Sequence, residues 1–387
     1  MEMTGVWADL IGQERLVALL AKAVAGDAHA MTHAWLFTGP PGSGRSNAAK
    51  AFAAALQCRA GGCGKCNACL TTLSGAHPDI TLVRTEALSI GVKEVRDLVR
   101  RSMTSPATGR FQIIVVEDAD RVTERGADAL LKAIEEPAPR TIWLLCAPNA
   151  EDVVVTIRSR CRLAPLTTPS AAAIAQLLQR DGVNPDVAEF AARVSQGHVG
   201  RARALARDEG ARNRRLEVLR IPAQLLGVGD ALTAAAEVVD LAAAEAQSLT
   251  AETDAAELAK LSEALGITRG RPRSAAAALK ELEEQQDARR KRLQRDALDR
   301  VLTELTSYYR DVLVLQTSAG APPINPEVSA EAQRLASRSA PEATLAKLDA
   351  ILACRNALEE WNVAPLLAME SLLLALATTS FSGVAER

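Results

Sequence analysis

The first 165 or so residues of this chain are predicted to form an α/β domain, and the remainder is predicted to be mainly helical. Short apolar runs alternate with helical segments in the first part, which is typical of a parallel sheet covered by helices. The run from Phe111 to Glu117 is rich in β-branched residues, as expected for a strand buried on both faces. Aromatic residues make up only 3% of the 387 residues while Ala is abundant, so helices should dominate the rest. This length predicts two or three domains.

The predicted elements of the first part follow one another with short connections. In chain order they are a helix near Gln13 to Val24, a strand Ala34 to Thr38, a helix from about Arg45 to Gln57, a strand Ile80 to Arg84, a helix Val92 to Met103, a strand Phe111 to Glu117, a helix Ala127 to Glu135 ended by Pro137, and strands Thr141 to Cys146 and Val153 to Ile157. Short helices are predicted from about Thr167 to Asp208, and long helices after that.

The charge and the termini limit the classes of function. Lys and Arg number 45 against 47 Asp and Glu, a net charge of -2, which argues against a protein that binds nucleic acid over its whole surface but allows a local basic patch. The start of the chain lacks the basic and apolar regions of a signal peptide. The best apolar run, Leu366 to Thr378, carries Glu370 and is too short to span a bilayer. We therefore expect a cytoplasmic protein.

A glycine-rich turn follows the first predicted strand. The segment Gly39 to Ser46 fits the phosphate-loop pattern GxxxxGK[ST] at every position except the lysine, which is Arg45. Its glycines, Gly39, Gly42 and Gly44, would let backbone N–H groups surround phosphate oxygens, and Ser46 would meet magnesium. A forked guanidinium is a poor substitute for a compact ammonium at these phosphates. The alternative is a loop retained only as a turn, without nucleotide.

Two carboxylates end the strand that begins at Phe111. A phosphoryl-transfer site uses an Asp to hold magnesium and a carboxylate to position water at such a strand end. This chain has Glu117 followed by Asp118, so the side-chain lengths of the two residues are exchanged. An error of one methylene at each position would misplace metal and water. The alternative is that both are ordinary acidic residues at a strand end.

Four cysteines within twelve residues predict a structural zinc site. They are Cys58, Cys63, Cys66 and Cys69. Two CxxC steps in a loop allow four thiolates to complete a tetrahedral shell with no open position. The alternatives are a disulfide pair, which a reducing compartment disfavours, and an iron–sulfur cluster. His77 is expected to be a loop or packing residue, and Cys146 and Cys354 to be core thiols.

The segment Ser159-Arg160-Cys161 follows the last predicted strand of the α/β domain. This is a position from which a ring-forming ATPase offers an arginine to the nucleotide of its neighbour. The alternative is an ordinary surface charge. Farther along, Gly266 to Arg273 is predicted to be an exposed loop, and the basic run Arg289 to Arg292 is predicted to lie on a solvated helix face, with contact to DNA or a partner as the alternative.

Several segments together resemble the bacterial clamp-loader family of AAA+ proteins, and within it the delta-prime class. The matching segments are Leu10 to Glu14, His33 to Pro40, the four cysteines, His77 to Asp79, Ala129 to Pro137 and Ser159 to Cys161, with Ala364 to Leu376 resembling the terminal collar helix. The resemblance is dense over about residues 7–166. The segment at about 250–295 has no counterpart in the family that we can identify.

This resemblance implies a three-domain organisation and a set of partners. The domains would be a RecA-like AAA+ domain at 1–166 with its zinc module at 58–69, a helical lid at 167–208 and a helical collar at 209–387. Such a subunit joins gamma/tau and delta in a hetero-pentameric ring that loads the beta sliding clamp at primer–template DNA. By this resemblance the chain would act as the stator, contribute Arg160 to a neighbouring ATP site, and belong to a DNA-directed DNA polymerase holoenzyme, a nucleotidyltransferase.

The departures from the family pattern favour a subunit without ATPase activity of its own. Besides Arg45 and the exchanged Glu117 and Asp118, Ala147-Pro148 stands where a sensor Thr or Asn is expected, and Gly200 aligns with the second sensor arginine, one residue before Arg201. Bound ATP or ADP with Mg²⁺ is therefore doubtful. The alternatives are an active gamma/tau-like motor and a free-standing zinc protein that binds DNA.

Overall fold

The computed structural model describes residues 4–27, 29–84, 89–265 and 273–378. The chain forms two compact units, Met1–Asp208 and Glu209–Arg387, which we call unit 1 and unit 2. None of the helices in these described ranges is both long and apolar enough to cross a membrane. The expected loop Gly266 to Arg273 lies almost wholly outside the described residues.

Unit 1 combines a parallel sheet with helices. The strands are β1 (Ala34–Thr38), β2 (Ile80–Val83), β3 (Gln112–Val116), β4 (Thr141–Ala147) and β5 (Arg162–Pro165). The helices are α1 (Glu14–Val24), α2 (Arg45–Gln57), α3 (Asn67–Leu73), α4 (Val92–Ser102), α5 (Glu124–Glu135), α6 (Val155–Arg158), α7 (Ala171–Arg180), α8 (Pro185–Val194) and α9 (Val199–Arg207).

The sheet has the strand order β2-β3-β4-β1-β5, and every pairing is parallel. Strands β1, β3 and β4 are buried along their whole length because helices cover both faces. Alternate residues of β1 point to opposite faces of the sheet and pack in different apolar cores. Trp35 and Phe37 join one apolar core, where Trp35 meets the ring of Phe52 at 5.0 Å, and Leu36 joins the other. The predicted α/β class, with a parallel sheet between layers of helices, is confirmed.

One predicted strand of unit 1 is wrong. The β-branched run from Val153 to Ile157 leads into the short helix α6, and the strand of this region is β5, after Cys161. Val153 and Ile157 are buried four residues apart, which is a helical spacing that brings both side chains to one face. β-Propensity depends on tertiary context, and here packing of this face overrides it.

Unit 2 is helical in the part that the structure describes. Its helices are α10 (Glu209–Gln224), α11 (Val228–Ala264), α12 (Arg273–Thr317), α13 (Ser329–Ala336), α14 (Pro341–Glu359) and α15 (Pro365–Thr378). Leucines of α12 such as Leu298 and Leu302 form the core with Leu372 and Leu373 of α15. Helix α15 contains all but the first residue of the segment that resembled a collar helix.

The segment at about 250–295 lies largely in the paired helices α11 and α12. Arg289 contacts both Asp254 and Glu257 at 2.9 Å, and Arg290 contacts Asp254 at 2.8 Å. The Arg289 side chain is 15% exposed and the Arg290 side chain 36%, so both charges pair with α11 while Arg290 also reaches solvent. The sequence-based prediction of a solvated face is wrong for Arg289, because its acidic partners lie on another helix.

Candidate functional site

The phosphate-loop segment connects β1 to α2, as the sequence predicts. Gly42 and Gly44 have φ values of 81° and 94°, in the left-handed region that favours glycine. A Cβ on Gly42 would lie 2.1 Å from Cγ of His198, so this position has no room for a side chain. Ser46 is the second residue of α2. The loop therefore keeps the backbone form that an anion-binding turn requires.

Neighbouring segments hold this loop in place. The Gly39 N–H donates to the Pro148 carbonyl at 3.0 Å, directly after β4, and the Leu166 N–H donates to the Thr38 carbonyl at 2.7 Å. Ser43 is buried, and its hydroxyl has no hydrogen-bond partner among the described residues. The interior of the loop thus contains a polar oxygen without a protein partner.

Arg45 points back into its own loop. Its Nη1 donates to the Gly39 carbonyl, the first residue of the segment. Burial lowers the pKa of Arg45, while Cys146 and the carboxylates of Asp120, Asp118 and Asp152 oppose that shift. In this structure the guanidinium satisfies a loop carbonyl, an interaction that competes with binding to phosphate oxygens.

Glu117 is paired with a lysine that the sequence analysis missed. Lys50 Nζ lies 2.7 Å from Glu117 Oε1, and the side chains are 27% and 12% exposed. Lys50 is on α2, where Ala48, Ala49 and Ala51 are buried. A single lysine in such a run was a detectable signal, because a buried cation requires a partner. Asp118 follows Glu117 at the start of a 3-10 turn, Ala119–Arg121.

The two sensor positions lack the expected polar side chains. Ala147 is the last residue of β4, and the following Pro148 uses its carbonyl to hold Gly39. Gly200 and Arg201 lie in the first turn of α9. The Arg201 backbone N–H donates to Nδ1 of His198 at 3.1 Å, so Arg201 contributes its main chain to the cap of the helix.

His198 contacts the phosphate loop, which the sequence analysis did not predict. Its ring packs on Gly42, and the next residue, Val199, donates its N–H to the Gly42 carbonyl at 3.4 Å. Its residue type alone gave no signal for this contact, since Gly42 and His198 are far apart in sequence. The start of α9 therefore rests directly on the loop.

The four cysteines form one group with metal-binding geometry. Their sulfurs all lie within 4.8 Å of one another, and Cys58 Sγ is 3.7 Å from both Cys63 Sγ and Cys66 Sγ. A tetrahedral zinc with Zn–S bonds of about 2.3 Å would hold its sulfurs about 3.8 Å apart. A disulfide would require an S–S distance of about 2.05 Å, and all seven cysteines are free thiols. The arrangement therefore fits a metal such as zinc.

Backbone elements set this geometry. Cys58 ends α2, Cys66 precedes α3 and Cys69 lies within α3, while the N-terminal Val6 N–H donates to Gly62 at 3.0 Å. Burial opposes ionisation of Cys58, but hydrogen bonds from the surrounding backbone outweigh burial and lower its pKa to about 6. A thiolate is the form that binds a metal.

His77 is not part of the cysteine group. It is buried, and its Nδ1 accepts the Asp79 N–H at 3.1 Å, as a packing residue would. Asp79 in turn accepts backbone N–H bonds from Ala107, Thr108 and Gly109 at 2.5, 2.8 and 2.5 Å. Burial opposes its ionisation, but these donors outweigh burial and keep the pKa of Asp79 below its ordinary value.

Arg160 lies in the turn between α6 and β5. Its Nη1 donates to the Thr156 carbonyl at 2.8 Å and to the Ser159 hydroxyl at 3.2 Å. Its Nη2 lies 2.5 Å from Glu135 Oε1, and the side chains of Arg160 and Glu135 are 39% and 40% exposed. Cys161 is partly buried, and burial raises its pKa to about 12. The arginine is thus accessible but held by its own domain.

Two family matches cover much of the chain. Residues 12–170 match the family described as "DNA polymerase III, delta subunit", and residues 271–378 match "DNA polymerase III, delta subunit, C terminal". The gap between the two matches contains the whole of α11.

Curated relatives carry two different subunit names. The DNA polymerase III subunit gamma/tau of Mycobacterium tuberculosis is 36% identical over 194 residues, covering 48% of this chain and 33% of that protein. The subunit delta' of Pseudomonas aeruginosa is 36% identical over 154 residues, covering 38% of this chain and 47% of that protein. The subunit delta' of Bacillus subtilis is 30% identical over 212 residues, covering 54% of this chain and 64% of that protein. The matched region thus spans less than two thirds of each of these relatives.

Proposed function

Because the chain belongs to the DNA polymerase III delta-prime family, we propose that it is the stator subunit of a clamp loader. It would join gamma/tau and delta in a hetero-pentameric ring that loads the beta sliding clamp onto primer–template DNA, within the DNA polymerase holoenzyme of the cytoplasm. Residues 1–166 would form the AAA+ domain, 167–208 the lid and 209–387 the collar.

The contacts of Arg45 and Glu117 carry the proposal that this subunit does not hydrolyse ATP. The cation that should meet the phosphates bonds to Gly39, and the carboxylate that should hold magnesium is neutralised by Lys50. Phosphoryl transfer depends almost wholly on positioning and electrostatics, so these two contacts remove its main components. Passive binding of ATP or ADP at Gly39, Gly42, Gly44 and Ser46 remains compatible with the loop.

Arg160 would act on the nucleotide of a neighbouring subunit. A guanidinium stays charged at every working pH and can bridge two phosphate oxygens. Its partial exposure supports this role, since a partner surface can reach it without unfolding the turn.

Zinc is the metal we propose for the four cysteines. The closed set of four sulfurs leaves no position for substrate, which supports a structural role. The ion would fix the segment between α2 and α3 against Val6.

A gamma/tau-like motor is the second candidate. The observation that favours it is the 36% identity over 194 residues with the Mycobacterium tuberculosis gamma/tau subunit. A motor would require Arg45 to release Gly39 and Lys50 to release Glu117 when nucleotide binds.

Reconstitution with the cognate gamma/tau and delta subunits separates the two candidates. ATP hydrolysis is measured for the isolated chain, for the complex, and for a complex lacking this chain, with primed DNA and the beta clamp present. The stator proposal expects no turnover by the isolated chain and loss of clamp loading without it. Turnover by the isolated chain that disappears in Arg45→Ala would instead establish the motor.

A further inference from the structure

Arg160 is held by three contacts, two to Nη1 and one to Nη2 of its guanidinium. Nη1 donates to the Thr156 carbonyl and the Ser159 hydroxyl, and Nη2 contacts Glu135. The first two partners are local to the turn that carries Arg160. Glu135 is distant in sequence, since it belongs to α5 and lies 25 positions before Arg160.

A partly exposed arginine needs such a contact to keep one orientation. Its long side chain has several rotatable bonds, and restricting them costs up to about 2 kcal/mol of conformational entropy. The two contacts of Nη1 fix one edge of the guanidinium only. The carboxylate of Glu135 fixes Nη2 as well, and the planar group then has a defined direction.

Glu135 is itself anchored by the core. It is the last residue of α5, and the two residues before it, Ala133 and Ile134, are buried. The Ile134 carbonyl bonds to Nε2 of His33 at 2.8 Å, just before β1. The backbone that carries Glu135 is therefore tied to the sheet, which limits the region that its carboxylate can reach.

We propose that Glu135 is the positioning residue of Arg160, holding its guanidinium in the orientation that presents it to the nucleotide of a neighbouring subunit. The inference rests on the proposed trans action of Arg160. Glu135 itself would not touch the phosphates. Its carboxylate would act only through the arginine, by reducing the number of orientations that the guanidinium samples before the ring closes on ATP.

The size of the effect follows from the exposure of the pair. Exposed ion pairs contribute modestly, so loss of Glu135 should lower the turnover that depends on Arg160 by about 1.5- to 5-fold. Loss of Arg160 should cost more, because it removes the charge itself. The KM for ATP should stay unchanged while kcat falls, since a finger acts on charge that develops in the transition state.

The experiment uses the reconstituted complex and measures DNA-stimulated ATP hydrolysis and clamp loading. The variants are Glu135→Ala, Glu135→Asp and Glu135→Gln, with Glu136→Gln as the matched control, because Glu136 is the adjacent residue and is equally an exposed glutamate. We expect Ala and Asp to lower kcat, Gln to retain most activity because its oxygen still accepts from Nη2, and the control to equal wild type. The difference in kcat between Glu135→Gln and wild type should shrink at high salt, because salt screens the charge of the wild-type carboxylate.

A double variant decides whether Glu135 acts through Arg160. In an Arg160→Ala background, Glu135→Ala should cause no further loss. A further loss in the double variant as large as that in Glu135→Ala alone would overturn the positioning role. So would an unchanged rate in the single variant Glu135→Ala. A raised rate in that single variant would also overturn it, and would mean that the carboxylate competes with phosphate for the guanidinium. Ring incorporation and thermal stability are measured for every variant so that a folding defect is recognised.

These outcomes remain distinct from failure of the proposed function. If Arg160→Ala alone leaves hydrolysis and loading unchanged in fully assembled rings, the trans-acting arginine is wrong and the role of Glu135 falls with it. If Arg160→Ala impairs loading while Glu135→Ala does not, the arginine finger stands and only the positioning role fails.

Discussion

Lys50 Nζ and Glu117 Oε1 lie 2.7 Å apart, between the middle of α2 and the end of β3. The pair occupies the position at which an active phosphate-binding domain would recruit a divalent ion to a strand-end carboxylate. An ammonium at this distance satisfies the carboxylate without any metal. The contact thus joins the helix after the phosphate loop to the strand that supplies the acidic residues.

This pair should be measurable as stability. Replacing Lys50 with Met leaves a mostly buried carboxylate without its cation, so we expect a loss of about 1–3 kcal/mol in the free energy of unfolding. Urea unfolding of unit 1 with a spectroscopic probe measures it. Lys93→Met, at an exposed position on α4, is the control and should change stability little. Equal stability of both variants would show that Glu117 does not depend on Lys50.

The isolated chain should not hydrolyse ATP at a rate near the roughly 1–100 per second of kinases. The variant Arg45→Lys has the lysine of the phosphate-loop motif, but we expect it to stay inactive. Glu117 remains paired with Lys50, and Ala147 and Pro148 supply no polar side chain at the sensor position. Release of inorganic phosphate in the presence of Mg²⁺ measures both proteins. Efficient turnover by Arg45→Lys would mean that this one residue is the whole defect.

One zinc ion should copurify with each chain. Metal binding is coupled to local folding, so Cys66→Ser or chelation should lower the thermal stability of unit 1. Elemental analysis of reduced, unstripped protein gives the zinc content. Cys354→Ser, a buried thiol of unit 2 outside the cysteine group, should keep its zinc. Protein prepared this way without zinc would contradict the assignment.

Arg160→Ala should fold, keep zinc and enter the ring, yet reduce DNA-stimulated ATP hydrolysis and clamp loading. An arginine finger can contribute about 10³–10⁵ in rate, but this chain would serve only one of several sites, so the loss in the whole ring should be smaller. Arg160→Lys should rescue poorly, because an ammonium keeps the charge and loses the planar fork. Loading at the wild-type rate with full occupancy of the ring would rule out the trans role.

Asp79 should make unit 1 sensitive to acid. Its folded pKa is lowered, so its contribution to stability is complete above the unfolded pKa of about 3.9 and is lost as pH falls through the folded pKa. At neutral pH, Asp79→Asn should cost about 1.5–3 kcal/mol, because charge-assisted bonds to the 107–109 backbone are lost. Unfolding free energies measured from pH 7 down to below pH 4 should show the gap between wild type and variant narrowing. A gap independent of pH would assign the effect to packing.

Periodicity and local motifs predicted most of unit 1. The buried apolar runs of β1, β3 and β4 and the glycine-rich turn each carry their signal within a few adjacent residues. The helix α6 was missed because Val153 to Ile157 has strand propensity, and only the burial of Val153 and Ile157 on one face decides for a helix. The strand β5 was missed because its exposed edge gives it no continuous apolar pattern.

The sequence by itself determined the chemistry that depends on short spacing. Cys58, Cys63, Cys66 and Cys69 lie so close along the chain that local turns alone can bring four sulfurs together. The same holds for the phosphate-loop glycines, whose φ values are a local property. Arg45 was likewise visible as a departure from its motif before any contact was known.

The tertiary structure decided which side chains are occupied by partners. Lys50 meets Glu117, His198 rests on Gly42, and Arg160 is held by Glu135, across separations of 25 to more than 150 residues. No local pattern encodes such pairs, because they arise only when packing of the sheet and helices brings distant segments to within a hydrogen bond. The sequence alone shows that the phosphate loop departs from its motif. Only the fold shows that Arg45 bonds to the Gly39 carbonyl and that Glu117 pairs with Lys50.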